Sequence, residues 1–519
     1  MKFTKISSLI LAAAVTFTAA FPVSAMNAEA KKTSYGTSTV QVLATTDLHG
    51  QSVKFNYDSG VESQGSLAQL ATVIRQKRQD LDYGTTITVD GGDTVYGIGS
   101  ESIMKGTVSG SEYMYECMKA VNYDAITLGN HDFDYGVDYI QKALKKAGMN
   151  QKVVLSNVVN ARTGKNLYKS STLLTKTVKT TTGRKAKVKI GIVGATIPSL
   201  TTLFKWKGIV RTCDIVDSVR AEAKALKKRG ADVVIVVAHT GIGSAKHKKN
   251  ADNAGYALTA IPEVDAVCCG HTHMDYPANT AKAEVYDQYA ETDEEHLMHE
   301  KALVEEKDHG ASLGQIRIKL GFDANGKPYV KSRSSALHRI MGSDQEDAKI
   351  RSINAKYDAQ YRKIYDKKIT KIEGSTNNYF GMIEDNPMIQ LCNEAKIHYG
   401  LAAVKNLKEP YRNAPVISAT EYQMGGSTSD DYIYVDGQIY QKDVLNIQSY
   451  AQQRAKVYYM TGKQLREALE YQAARFYQTT GAEKNATWGP ETGNLVNQGY
   501  QPVLGPSYQN NWRGFRNMP

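Results

Sequence analysis

At 519 residues the chain is too long for one ordinary hydrophobic core, and 23% charged with 41% apolar residues excludes a wholly disordered polymer, so at least two globular domains are expected. The net charge of +11 invites an anionic partner, but Lys227-Lys228-Arg229 and the run from Lys246 to Lys249 read as solvated helix and loop faces, so no nucleic-acid duplex is expected as partner. Five cysteines (Cys117, Cys213, Cys268, Cys269 and Cys392) are odd in number and lack CxxC spacing, which speaks against a zinc ribbon or a dense disulfide framework.

Residues 1–30 have the layout of a signal peptide. Lys2 and Lys5 precede an apolar run from Leu9 to Phe21, followed by Val23-Ser24-Ala25 and, as a second small-residue cleavage site, Ala28-Glu29-Ala30. Thr16 and Thr18 interrupt that run, which argues against a spanning anchor, and no later stretch is long enough to cross a bilayer. The protein is therefore expected to be secreted, periplasmic or on the cell surface.

From Thr39 to about Leu320, short β-branched runs alternate with amphipathic segments. Val40–Ala44, Thr86–Val89, Ala125–Leu128, Val153–Leu155, Val188–Val193, Val233–Ala238 and Val264–Cys269 read as buried strands, and Gly65–Gln79 and Ile215–Arg229 as helices. Such alternation predicts an α/β layered domain, placed at 38–335. Ile350, Ile353, Tyr357, Tyr361 and Ile364 then recur every three or four residues, predicting a linker helix within 336–372. A second domain, 373–519, opens with a helix from about Pro387 to Tyr399 and continues with turns and strands. Its ending, Gly505-Pro506 through Pro519, lacks a closing helix or strand pattern, so this domain is expected to be incomplete.

Five strand ends carry potential metal ligands. Asp47-Leu48-His49 follows the first, Asp90-Gly91-Gly92-Asp93 the second, Gly129-Asn130-His131-Asp132-Phe133-Asp134 the third, His239 another, and Gly270-His271-Thr272-His273 the last. Ligands in open α/β sheets gather beyond the carboxyl ends of the strands, so these groups converge. Carboxylates, imidazoles and an amide together suit borderline divalent ions such as zinc, manganese or iron. Singly, each motif also reads as a turn, a core histidine or a rim loop; five in order do not.

This ordered set is similar to the calcineurin-like metallophosphoesterase family of the 5′-nucleotidase superfamily. Within it GNHDFDYG, AHTGIG and VDAVCCGHTH resemble the nucleotidase branch, above all the bacterial 2′,3′-cyclic-nucleotide 2′-phosphodiesterase/3′-nucleotidases, over roughly residues 39–470. The resemblance implies a four-layer α/β/β/α sandwich followed by an α+β nucleotidase-type domain. It implies two divalent metal ions (Zn, Mn, Fe or Co) bridged by Asp93. Asp47, His49 and His273 would complete one site, and Asn130, His239 and His271 the other. His131 and Asp134 would form the catalytic dyad; Asp134 also reads as an N-cap ahead of the helix Val137–Lys146.

For the second domain, the resemblance places a base-stacking aromatic at Tyr450 and a substrate-facing loop at Gly425 and Gly426. Tyr450 reads equally as one of 32 tyrosines, on a strand. Ser427 stands where 5′-nucleotidases usually carry arginine, and EEKDHGASLG ending at Gly314 replaces a Trp-Gly of the cyclic-phosphodiesterase pattern. The expectation is thus an exported hydrolase of nucleotides, chiefly 2′,3′-cyclic and 3′-nucleotides. The alternatives are a 5′-nucleotidase or nucleotide-sugar hydrolase, and a non-catalytic nucleotide-binding surface protein.

Overall fold

The computed structural model describes residues 35–57, 60, 62–97, 112–203, 208–277, 296–342, 344–377, 385, 387–419, 434–447 and 456–473. The signal segment 1–30 lies outside them. Among the described residues no helix is long and apolar enough to cross a membrane, and the five cysteines are unbridged.

Among these residues the chain divides into two compact units between Tyr357 and Asp358, with Asn56, Tyr57 and Gly60 belonging to the second. The first unit holds the strands β1 (Thr37–Thr45), β2 (Gly84–Asp90), β3 (Ala125–Ile126), β4 (Val158–Asn160), β5 (Ser171–Lys179), β6 (Lys185–Thr196), β7 (Val210–Thr212), β8 (Val233–His239), β9 (Ala266–Cys269), β10 (Leu297–Met298), β11 (Lys301–Glu305), β12 (Ser312–Phe322) and β13 (Pro328–Arg339). One sheet has the order β13-β12-β1-β2-β3 and a second the order β10-β11-β9-β8-β6-β5. β1, β2 and β3 run parallel, as do β6, β8, β9 and β11, so their carboxyl ends share an edge within each sheet.

Strand alternation explains the layering. Val40, Val42 and Ala44 of β1 and Ile87 and Val89 of β2 pack with Val188, Ile190, Ile192, Val233, Ile235 and Val237 from the second sheet, forming a core between the sheets. The opposite register of the second sheet, Val193, Val234, Val236 and Val267, packs on Ile215, Val219, Ala223 and Leu226 of the helix Ile215–Lys228. The helix Leu67–Gln79 covers the outer face of the first sheet, where Gln41 Nε2 donates to the Lys77 carbonyl (2.9 Å) and Arg78 donates to Thr88 Oγ1 (2.6 Å). These are the four layers α/β/β/α.

Val153–Leu155 departs from the expected pattern. It makes isolated bridges and no strand. Val154 N donates to Ile126 in the first sheet (2.9 Å), whereas Ser156 N donates to Gly194 in the second (2.8 Å). The segment steps from one sheet to the other, so its backbone bonds are divided and no ladder forms. A Cβ at Gly194 would lie 1.9 Å from the Val154 carbonyl oxygen, so only glycine admits the crossing.

After β13, Asp347 Oδ1 accepts the N–H of Lys349 and Ile350 and caps the helix Ala348–Tyr365. The second unit contains β14 (Lys368–Asn377) paired antiparallel with β15 (Tyr434–Tyr440), and the helix Pro387–Val404. Its small core joins Met388, Val435 and Ile439, with Ile372 and Cys392 against it.

Candidate metal centre

The loop after β1 lies along the loop after β2. Asp47 N donates to Gly92 O (2.8 Å) and His49 N to Asp93 O (2.9 Å). The loop after β9 reaches the same point, where His271 N donates to Asp47 Oδ2 (3.0 Å). Five expected ligands sit in left-handed backbone: Asp47 (φ 51°), His49 (44°), Asp93 (51°), His271 (80°) and His273 (56°). Each such residue costs about 1–3 kcal/mol, and strain of this kind clusters at functional sites. Glycine permits the approach between loops: a Cβ at Gly129 would lie 2.1 Å from Asp93 Oδ1.

Two clusters of acceptors result. In the first, His49 Nε2 is 3.2 Å from His273 Nε2, and Asp47 Oδ1 is 3.2 Å from His273 Nε2 and 3.7 Å from His49 Nε2. In the second, His239 Nε2 is 3.1 Å from both Asp93 Oδ2 and Asn130 Oδ1. Asp47, His49 and His273, and again Asp47, Asp93 and His239, bring one ligand atom each within 4.8 Å of one another. The ring of His271 adjoins that of His239, with centroids 5.1 Å apart.

The tautomers explain why these groups suit cations. His49 Nδ1 donates to the Tyr96 carbonyl (2.7 Å) and His239 Nδ1 to the Gly91 carbonyl (3.1 Å), while His273 Nδ1 faces Asp308 Oδ2 at 3.3 Å. Each ring therefore turns its Nε2 inward, the orientation that outer partners impose on metal-binding histidines. Asp47 Oδ1 is buried without a hydrogen-bond partner. Inward Nε2 atoms and carboxylate oxygens fit a divalent ion once the imidazoles have given up their extra protons.

The electrostatics agree. Burial is the largest influence on Asp47 and Asp93 and opposes their charge, but the neighbouring imidazoles together, His239 with His273 at Asp47 and His239 with His131 and His49 at Asp93, hold both carboxyls well below their ordinary range. Burial also opposes a charged His239, yet Asp93 and Asp47 raise it to about 9. His273 is likewise raised against burial by Asp308 and Asp47. Burial lowers His49 to about 4, and burial with the His239 charge lowers His271 to about 3. The carboxylates call for positive charge at this point.

His131 and Asp134 meet as expected, with Nδ1 2.7 Å from Oδ2. The helix Val137–Ala147 is capped at Gly136 without a side-chain bond, so the N-cap reading of Asp134 gives way to its bond with His131. Burial opposes a charged His131, yet Asp93 and Asp134 together raise the imidazole above its ordinary value. His131 N also donates to Asp93 Oδ1 (2.8 Å), which ties the dyad to the cluster.

Three residues escaped the sequence reading. Tyr96 stacks on His131, with centroids 4.6 Å and planes 6° apart. Asp132 accepts backbone N–H groups from Asp93, Thr94, Val95 and Gly129 at 2.9–3.2 Å, pinning the β2 and β3 loops together. Asp308 holds His273. Asp132 lies within the quoted GNHDFD motif, but its bracing role, like the roles of Tyr96 and Asp308, has no local signature. Tyr450, Gly425 and Gly426 lie outside the described residues.

Comparison with known proteins agrees with this geometry. Residues 40–275 match the calcineurin-like phosphoesterase family and residues 368–504 the 5′-nucleotidase C-terminal domain. A 2′,3′-cyclic-nucleotide 2′-phosphodiesterase/3′-nucleotidase of Haemophilus influenzae is 28% identical over 85% of this chain and 68% of its own length. The trifunctional nucleotide phosphoesterase protein YfkN of Bacillus subtilis is 29% identical over 86% of this chain, which spans only 30% of that protein. The crystal structure of the calcineurin-like phosphoesterase YfkN from Bacillus subtilis superposes with a TM-score of 0.56 at 28% identity, covering 63% of this chain and 99% of that one. The chain is a metallophosphoesterase, a phosphoric ester hydrolase that joins a calcineurin-like phosphoesterase domain to a 5′-nucleotidase C-terminal domain.

Proposed function

We propose that the protein is exported and removes phosphate from nucleotides, preferring 2′,3′-cyclic nucleotides and 3′-nucleotides, with two divalent ions held by the clusters described above. The observation that carries the reading is two adjoining acceptor sets, around Asp47 and around His239, flanked by the His131–Asp134 pair. The name of the Haemophilus influenzae relative supports the substrate class. The signal-like residues 1–30 support export.

Asp47, His49 and His273 would hold one ion and Asn130, His239 and His271 the other, with Asp93 shared. Bound there, the pair supplies an electrophilic clamp for phosphate and a water acidic enough to attack it. Asn130 adds a donor atom without adding negative charge. His131, its Nδ1 fixed by Asp134, presents Nε2 to the phosphate and can give its proton to the leaving oxygen. Tyr450, Gly425 and Gly426 are assigned to the nucleoside, within a substrate domain at 373–519 that follows the catalytic domain at 38–335 and a linker at 336–372.

The test is a side-by-side assay of the Mn²⁺- or Zn²⁺-loaded protein on 2′,3′-cyclic AMP, 3′-AMP and 5′-AMP. Higher kcat/KM on the first two is expected; a clear preference for 5′-AMP overturns the substrate reading.

A further inference from the structure

Besides the candidate ligand His273, two carboxylate-held imidazoles border His49. One is His131, at 5.6 Å between ring centroids; the other is His309, at 5.5 Å. Asp308 Oδ2 lies 2.8 Å from His309 Nδ1 and 3.3 Å from His273 Nδ1, so a single oxygen fixes a candidate metal ligand and His309 together. The main chain locks this loop to the centre as well. His309, at φ 55°, donates its N–H to the Asp47 carbonyl at 2.8 Å. The pair belongs to the EEKDHGASLG segment, where the chain leaves the cyclic-phosphodiesterase pattern.

His309 is the more exposed of these two neighbours, at 39% against 26% for His131. The His49 side chain is 8% exposed and forms part of the floor, whereas His309 is 39% exposed and stands at the rim. With Nδ1 turned to Asp308, the remaining ring nitrogen of His309 is Nε2. A phosphate resting over the Asp47–Asp93 floor must direct its alcohol part outward, past the rim. With His131 assigned to the bridging oxygen on the reading above, the oxygens next to it on the alcohol call for a separate partner.

We propose that His309 is a specificity-determining residue whose Nε2 hydrogen-bonds an oxygen of the substrate's alcohol part adjacent to the ester, a ribose hydroxyl in a nucleotide. Asp308 is then a positioning residue that sets His309 and His273 at once. The inference rests on the functional reading above only for where the phosphate lies; it concerns hydroxyl-bearing phosphate esters generally.

The test compares three esters with the full-length Mn²⁺-loaded protein: 3′-AMP, 2-glycerophosphate, which carries hydroxyls beside the ester, and para-nitrophenyl phosphate, which carries none. His309→Ala should raise KM for the first two by about tenfold more than for the third, the scale of one hydrogen bond. His309→Asn, which tolerates left-handed backbone but has a shorter reach, should do the same while retaining the bound metal. Equal KM changes on all three esters, or loss of metal from both variants, overturn the proposal. If the wild type cleaves 2-glycerophosphate and no nucleotide, the nucleotide reading falls, and the comparison of the other two esters still decides the role of His309.

Discussion

The ring of Tyr96 lies parallel to that of His131, with centroids 4.6 Å and planes 6° apart, while the carbonyl of Tyr96 accepts the Nδ1 proton of His49 at 2.7 Å. One residue thus orients a candidate ligand through its main chain and the dyad imidazole through its side chain. Aromatic stacking of this kind contributes about 0.5–1.5 kcal/mol. Tyr96→Asn keeps the left-handed backbone (φ 65°) and the carbonyl but removes the ring. It should lower kcat by up to about tenfold at unchanged metal content, and Tyr96→Phe should restore it. Steady-state kinetics on para-nitrophenyl phosphate with elemental analysis decide the matter; loss of metal from Tyr96→Asn would assign the ring to the fold instead.

Asp93 touches both halves of the centre, with Oδ1 accepting from His131 N (2.8 Å) and Oδ2 3.1 Å from His239 Nε2. Asp93→Asn should abolish turnover and lower metal content, because it removes the charge that the proposed two-ion site shares. Two ions per chain with near wild-type turnover in this variant contradict the shared role.

His131→Ala should retain metal and lose a factor of about 10² or more in kcat, the scale of a positioned proton donor. Asp134→Asn should lose less, since it acts through the 2.7 Å contact to His131 Nδ1. Metal loss in both variants would make the pair structural.

Metal uptake should release protons. The raised values of His239, to about 9, and of His273 mean that both rings carry an extra proton at pH 7 in the apoprotein, whereas His49 and His271, lowered to about 4 and 3, do not. Loading at pH 7 should therefore expel about two protons per chain, fewer as the pH rises past 9. Calorimetry in buffers of different ionisation enthalpy counts them, and zero release would contradict the ligand assignment of these two histidines.

Tyr450→Ala should raise nucleotide KM by about one to two powers of ten, as about 1–3 kcal/mol of base stacking implies. The effect on para-nitrophenyl phosphate should be much smaller, and Tyr450→Phe should resemble the wild type. Parallel losses on both substrates would make Tyr450 a residue of the domain core.

The catalytic half was legible because its signals are local. β-branched runs mark buried strands, and each candidate ligand follows its strand within a few residues, as with Asp47 after β1 and His239 at the end of β8. Val153–Leu155 has the same composition as a strand but divides its hydrogen bonds between two sheets, a distinction that only tertiary structure makes. The supporting shell was hidden for a related reason. Asp308 reaches His273 across 35 residues of chain, and no spacing rule marks such a pair.

Asp132 sits inside the GNHDFD motif, yet its carboxylate gathers four backbone N–H groups from two loops and the hydroxyl of Tyr115. Removing it strands those donors in a buried site, at about 1–3 kcal/mol each, an amide in its place strands the two that lose their oxygen, and either change loosens the tie between the β2 and β3 loops. In a mutational survey that scores activity alone, Asp132 would therefore be indistinguishable from the residues that bind metal. Assigning ligands from such a survey would overcount the coordination sphere by one.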